Sequence, residues 1–103
     1  MVTRGGVYVL EHQDWGRRPV LVLTRQAAIP VLKRVTVATI SRRIRGIPTE
    51  VVLDEQDGMS TRCAVSLDNL GEAWKALLTE QLTTLDESRM GEVCHALDIA
   101  LGC

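Results

Sequence analysis

At 103 residues, with 12 Lys and Arg against 13 Asp and Glu, the chain fits one domain with one core and has a formal net charge of −1. Two Trp, one Tyr and no Phe exclude the aromatic rows on which nucleic-acid-binding sheets stack successive bases, so any such site here works mainly through charge and hydrogen bonds. There is no apolar run long enough for a signal peptide or for the ~20 residues that span a bilayer, and the odd trio Cys63, Cys94 and Cys103 lacks metal-ligand spacing; together these predict a soluble cytoplasmic protein with reduced thiols.

In chain order, the first two thirds reads as short β-branched runs broken by polar, Gly or Pro segments. Gly5-Gly6 opens the first run, Val7 to Leu10, and Pro19 to Leu23, Val35 to Ile40, Glu50 to Leu53 and Cys63 to Leu67 follow. The runs Val20 to Leu23 and Val35 to Ile40 alternate little, which suits central strands covered on both faces of a strongly bent antiparallel sheet or compact barrel. Loops are expected at Ile47-Pro48 and Asp57-Gly58. After Thr84 the period changes: Met90, Val93, Cys94, Leu97, Ala100 and Leu101 form one stripe of a helix. Its start is expected at Thr84-Leu85-Asp86-Glu87, with Asp86 competing with Thr84 as cap, and Gly102 is placed to end it. Cys63 and Cys94 are expected to pack, and His95, beside the stripe, is expected to carry no function.

Charge is strongly segregated. Between Trp15 and Thr49 stand eight cations (Arg17, Arg18, Arg25, Lys33, Arg34, Arg42, Arg43 and Arg45) and no acid, whereas residues 50 to 103 hold eleven acids and three cations. A local positive field of this kind concentrates polyanions and speeds their capture, so phosphate is the first ligand expected. Arg17 and Arg18 precede one central run, and Arg42 and Arg43 follow the other. Antiparallel pairing of the two runs is expected to bring both pairs to one rim.

The order of these segments carries a family resemblance. Arg4-Gly5-Gly6-Val7-Tyr8, Gly16-Arg17-Arg18-Pro19-Val20-Leu21-Val22-Leu23, Val37-Ala38-Thr39-Ile40-Ser41, Ile47-Pro48-Thr49-Glu50-Val51 and the final helix together span nearly the whole chain. In that order they resemble the MazF/PemK family of toxin endoribonucleases, in the style of its short mycobacterial-type members. The resemblance implies an α+β, mainly β fold: a single domain over residues 1–103, an SH3-like, PemK-like antiparallel barrel with a C-terminal helix. It also implies a homodimer that cuts single-stranded RNA at a short sequence without a metal or other cofactor. Such a protein leaves 2',3'-cyclic phosphate and 5'-hydroxyl ends, is neutralised by the C-terminal segment of a cognate MazE-like antitoxin, and has no membrane partner.

The resemblance assigns the catalytic arginine to Arg18, immediately before Pro19. A guanidinium fork matches two phosphoryl oxygens and stays charged, which suits a clamp on the phosphorane better than a general base. The family's catalytic threonine falls on Ser41, which keeps the hydroxyl and lacks the methyl; Thr39, on the same face of a regular strand, is the alternative. Where some relatives use a glutamate before Arg-Pro, this chain offers Glu11, His12, Gln13 and Asp14. His12 is then a candidate proton carrier and Gln13 a candidate contact. Arg17, Arg42 and Arg43 are candidate phosphate contacts, and Asn69, in an acid-amide pair with Asp68, is a candidate reader of a base edge. Two rival functions share the architecture: a toxin that poisons DNA gyrase by protein contact, and an RNA-binding barrel without catalysis.

Overall fold

The structure is a computed structural model that describes residues 1–14 and 16–103. Six strands form one curled antiparallel sheet: β1 (Gly6–His12), β2 (Gly16–Val22), β3 (Arg34–Ser41), β4 (Glu50–Leu53), β5 (Cys63–Trp74) and β6 (Leu78–Thr84), followed by helix α1 (Glu87–Leu101). The order across the sheet is β4-β5-β3-β2-β1-β6. This curled half-barrel with one terminal helix is the mainly-β architecture that the sequence predicts.

The uniformly apolar centre of β2 follows from its position. Val20, Leu21 and Val22 are all buried, but they serve two cores on opposite sides of the sheet. Leu21 joins Val7, Ala38, Ile40 and Val65 on the side covered by α1. Val20 and Val22 join Tyr8, Val35, Val37 and Ile29 on the other. A strand buried on both faces has no reason to alternate with polar residues.

Helix α1 settles the competition for its cap in favour of Asp86, whose carboxylate accepts from the Arg89 amide at 2.8 Å. Gly102 closes it at φ 69°, its amide reaching the Asp98 carbonyl at 3.0 Å. The buried stripe is narrower than expected. Val93 and Ala96 are buried and Met90, Leu97 and Ala100 lean on the same core, while Leu101 and Cys94 are exposed. Cys94 is therefore no packing residue; its Sγ accepts from Arg4 Nη2 at 3.4 Å. No helix among the described residues is long and apolar enough to cross a membrane.

Two β features lie beyond the predicted runs. Strand β6, Leu-Thr-Glu-Gln-Leu-Thr-Thr, is an outer strand with only one fully buried side chain, Leu78, so no apolar period marks it. Strand β5 continues past Leu67 to Trp74 through a kink: Thr39 faces Ser66 while its neighbour Ala38 faces Leu70. Leu67, Asp68 and Asn69 are thus spent against a single step of β3, and the sheet bends there. Two side-chain hydrogen bonds brace the bend. Thr49 Oγ1 donates to Asp68 Oδ2 at 2.6 Å, and Asn69 Nδ2 donates to Ser66 Oγ at 2.8 Å.

A one-turn 3₁₀ helix over Glu55–Asp57 ends at Gly58, where φ is 90° and a Cβ would come within 2.4 Å of Thr83 Oγ1. Only glycine accommodates both the left-handed backbone and that approach. The turn is fastened to α1 by Arg89, whose Nε and Nη2 reach the Asp57 carboxylate at 2.8 and 3.1 Å. Arg89 holds the Asp57 carboxyl below the usual carboxylate range against the opposing push of burial, and the pairing raises the guanidinium in turn.

Candidate functional site

Strand pairing assembles the site. β2 and β3 run antiparallel with Val20 opposite Thr39, and continuing that register by two residues brings Arg18 level with Ser41. Arg18, Pro19, Ile40 and Ser41 form a ridge shared by two hollows. The larger, about 460 Å³, extends from the ridge over Met59, Cys63 and Leu82 and is edged by Arg42, Ser60 and Thr61. The smaller, about 230 Å³, extends the other way over Val20, Thr39 and Asn69.

Arg18, Ser41 and Arg42 are exposed at this ridge, and Thr39 is half-buried beneath it. Ser41 Oγ accepts from the Arg43 amide at 3.0 Å, which leaves the hydroxyl proton to donate elsewhere. Among the described residues, no carboxylate pairs with Arg18, Arg42 or Arg43. Cys63 forms part of the floor, and burial, with a smaller effect of the Asp57 charge, pushes its thiol up, so it presents as a neutral, soft surface.

The rim expectation holds only in part. Arg18 and Arg42 border the same hollow, but Arg17 is turned away: its guanidinium reaches Glu11 at 3.3 Å and Glu80 at 3.1 Å across β1 and β6. Arg43 lines neither hollow and enters the site only through its backbone amide. Period-two geometry accounts for the split between Arg17 and Arg18, since consecutive residues of β2 face opposite ways, whereas Arg42 and Arg43 lie in the loop beyond β3.

His12 and Asn69 line a third hollow, of about 290 Å³, on the same side of the sheet as Val20 and Thr39. The Asp14 amide donates to His12 Nδ1 at 3.1 Å, which helps to orient the ring. Gln13 lies with His12 in the largest of these hollows, about 730 Å³, beside Trp74 and Leu77; neither Arg18 nor Ser41 lines it. The sequence candidates thus separate into a ridge group and a hairpin group that meet at Asn69 and Thr39.

Glu50 was not anticipated as part of this region. Its side chain is only 3% exposed. Its Oε1 accepts from the Arg45 and Gly46 amides at 2.9 and 3.1 Å, and Oε2 lies 3.7 Å from Arg45 Nε. The carboxylate therefore holds the loop that follows Ser41 and carries Arg42 and Arg43. Its signal in the sequence was its isolation, the first acid after a run of thirty-five residues with none. Ser60 and Thr61 carried no signal, because the hollow they edge is made by chain segments remote in sequence. Among the described residues, no group of three or more His, Cys, Asp and Glu is placed to hold a metal ion.

Comparison with known proteins identifies the family and the fold. Residues 4–101 match the family model described as PemK-like, MazF-like toxin of type II toxin-antitoxin system. The chain is 44% identical over 101 residues to the probable endoribonuclease MazF5 of Mycobacterium tuberculosis, covering 97% of this chain and 93% of that protein. It superposes on the Mycobacterium tuberculosis toxin MazF-mt6 with a TM-score of 0.86 at 32% identity, covering 94% of this chain and 96% of the other. A mycobacterial endoribonuclease solved in complex with its cognate antitoxin gives a TM-score of 0.89 at 26% identity, covering 99% and 96%. The chain belongs to the PemK-like, MazF-like family of type II toxin-antitoxin toxins.

Proposed function

We propose that this chain is a toxin endoribonuclease that cuts single-stranded RNA at a short sequence, with the scissile phosphate held on the ridge between Arg18 and Ser41. The observation that carries this reading is that a guanidinium with no carboxylate partner among the described residues and a hydroxyl whose proton is free to donate, Arg18 on β2 and Ser41 on β3, line the same two hollows.

The Arg18 fork faces two phosphoryl oxygens and the Ser41 hydroxyl donates to the phosphoryl group, so negative charge that builds up in the phosphorane meets fixed donors. The 2'-oxygen attacks phosphorus as the bond to the 5'-oxygen breaks. The proton lost by the first is gained by the second, and the products are a 2',3'-cyclic phosphate and a 5'-hydroxyl. In this reading the protein supplies the charge stabilisation from its own cations and needs no metal. Arg42 adds positive charge at the ridge, while His12 and Asn69 line the path of the strand beyond it.

The molecule acts as a homodimer in the cytoplasm. An antitoxin with an acidic, partly apolar C-terminal segment covers Arg18, drawn by the same field that attracts RNA. Raised salt then slows formation of the toxin-antitoxin complex, and a salt-independent on-rate would argue against such steering.

The deciding experiment incubates the purified protein with mixed-sequence single-stranded RNA in EDTA and analyses the ends. Cyclic phosphate ends that disappear in Arg18→Ala and diminish in Ser41→Ala support the reading. RNA left intact across many sequences defeats it, and RNA retained without cleavage identifies a binding barrel instead.

A further inference from the structure

The ridge that carries Arg18 and Ser41 is the wall between two hollows, and this arrangement constrains how a dinucleotide can lie. A phosphodiester seated on the wall sends its two nucleosides in opposite directions, and single-stranded bases splay readily into separate sites. We infer that the two bases flanking the scissile phosphate are read in different hollows, one by Ser60 and Thr61 and the other by Asn69. This rests on the endoribonuclease reading above and extends it from chemistry to sequence choice.

The larger hollow suits a base. Its floor is apolar and polarisable, with the Met59 thioether and the Cys63 thiol under the space a flat ring would fill. At about 460 Å³ it lies within the range of small-ligand sites, roughly 300–1,000 Å³. Its edge carries two exposed hydroxyls, Ser60 and Thr61, and neither has a protein hydrogen-bond partner among the described residues. A hydroxyl both donates and accepts, so the pair can discriminate by the pattern a base edge presents. The wall that bears them is fixed rather than loose. It follows directly from the turn tied to α1 by Asp57 and Arg89 and to β6 by Thr83 Oγ1, which donates to the Asp57 carbonyl at 2.7 Å.

The smaller hollow offers a different reader. Asn69 spends its Nδ2 on Ser66 Oγ at 2.8 Å, which fixes the plane of the amide and leaves Oδ1 as an oriented acceptor for a base amine or imino group. Two hollows with unlike polar groups, adaptable hydroxyls on one side and an oriented amide on the other, make each side of the cleaved bond a separate recognition event.

The test is cleavage-site mapping on a random single-stranded RNA pool with wild type, the Ser60→Ala/Thr61→Val double variant, and Asn69→Ala. The double variant is expected to relax base preference about tenfold on one side of the cut, and Asn69→Ala by a similar factor on the other. Asn69→Asp, which keeps the size and discards the Nδ2 donor, should shift preference at the same position as Asn69→Ala. Thermal melts confirm that each variant is folded, and a loss of overall rate alone moves no preference. If both sets relax the same position, or if either folded set leaves every position unchanged, the two-hollow assignment is overturned. If wild type cleaves no sequence in the pool, the endoribonuclease reading itself falls, and this inference with it.

Discussion

The ridge at Arg18 and the corner at Asp57 use the same side chains to opposite ends. At the corner, Arg89 is bidentate to a carboxylate that is 8% exposed, and turn, helix and outer strand are locked together. At the ridge, Arg18 and Arg42 stand exposed with no carboxylate partner among the described residues. An arginine with an acid beside it has its field spent on the fold; one held at a strand end without an acid keeps that field for a ligand. Arg17 and Arg18 repeat the contrast within one dipeptide, the first engaged by Glu11 and Glu80, the second facing the hollows.

Substitutions at the two places should therefore fail in different ways. Arg18→Ala is expected to lower the single-turnover cleavage rate by about 10²–10³-fold, as loss of one transition-state donor does elsewhere, with the melting temperature nearly unchanged. An Arg18→Ala protein that cleaves at the wild-type rate would collapse the contrast. Arg89→Ala should do the reverse: denaturant titration is expected to show a loss of about 2 kcal/mol, because it strands a largely desolvated carboxylate, while the folded fraction still cleaves.

Glu50→Ala probes the join between the two roles. Freed Arg45 and Gly46 amides should loosen the arginine loop and raise KM for RNA several-fold while kcat changes less, and Glu50→Gln, which retains an acceptor oxygen for both amides, should recover much of the loss. Acid titration sharpens the corner further. Asp57 has a folded pKa below its unfolded value of ~3.9, so its contribution is fully present above about pH 4 to 5 and is lost as pH falls through the depressed folded value. Asp57→Asn should flatten that part of the acid limb. Arg17→Ala is expected to matter least, at no more than about 1 kcal/mol with unchanged cleavage, since its two partners are exposed.

What the sequence showed and what it hid have physical causes. Central strands and helix ends were legible because burial and capping demand particular residues: the unbroken Val20-Leu21-Val22 run, the Asp86 cap and Gly102 all stand where the chemistry requires them. The approach of Arg18 to Arg42 was legible too, as a consequence of antiparallel pairing between neighbouring runs, while Ser41 was singled out only by the family resemblance. Strand β6 was not, because an outer strand with polar residues on both sides has no period to betray it. Nor was the far half of β5, since no apolar run marks the segment from Leu70 to Trp74 that pairs with β3. The different fates of Arg17 and Arg18 were available from strand alternation alone, whereas the opposite burial of Cys63 and Cys94 depends on tertiary packing.

The kink in β5 also limits how this molecule can change length. Beyond it, Ala73 points into a core while Glu72 and Trp74 look outward. Removing one residue between Ser66 and Leu70 without a compensating slip would rotate that whole segment by half a period and drive a carboxylate or an indole into the slot of a methyl group. Insertions and deletions at this bend should survive only in pairs, so sequence choice in the neighbouring hollow is free to drift by substitution while its spacing stays under strict control.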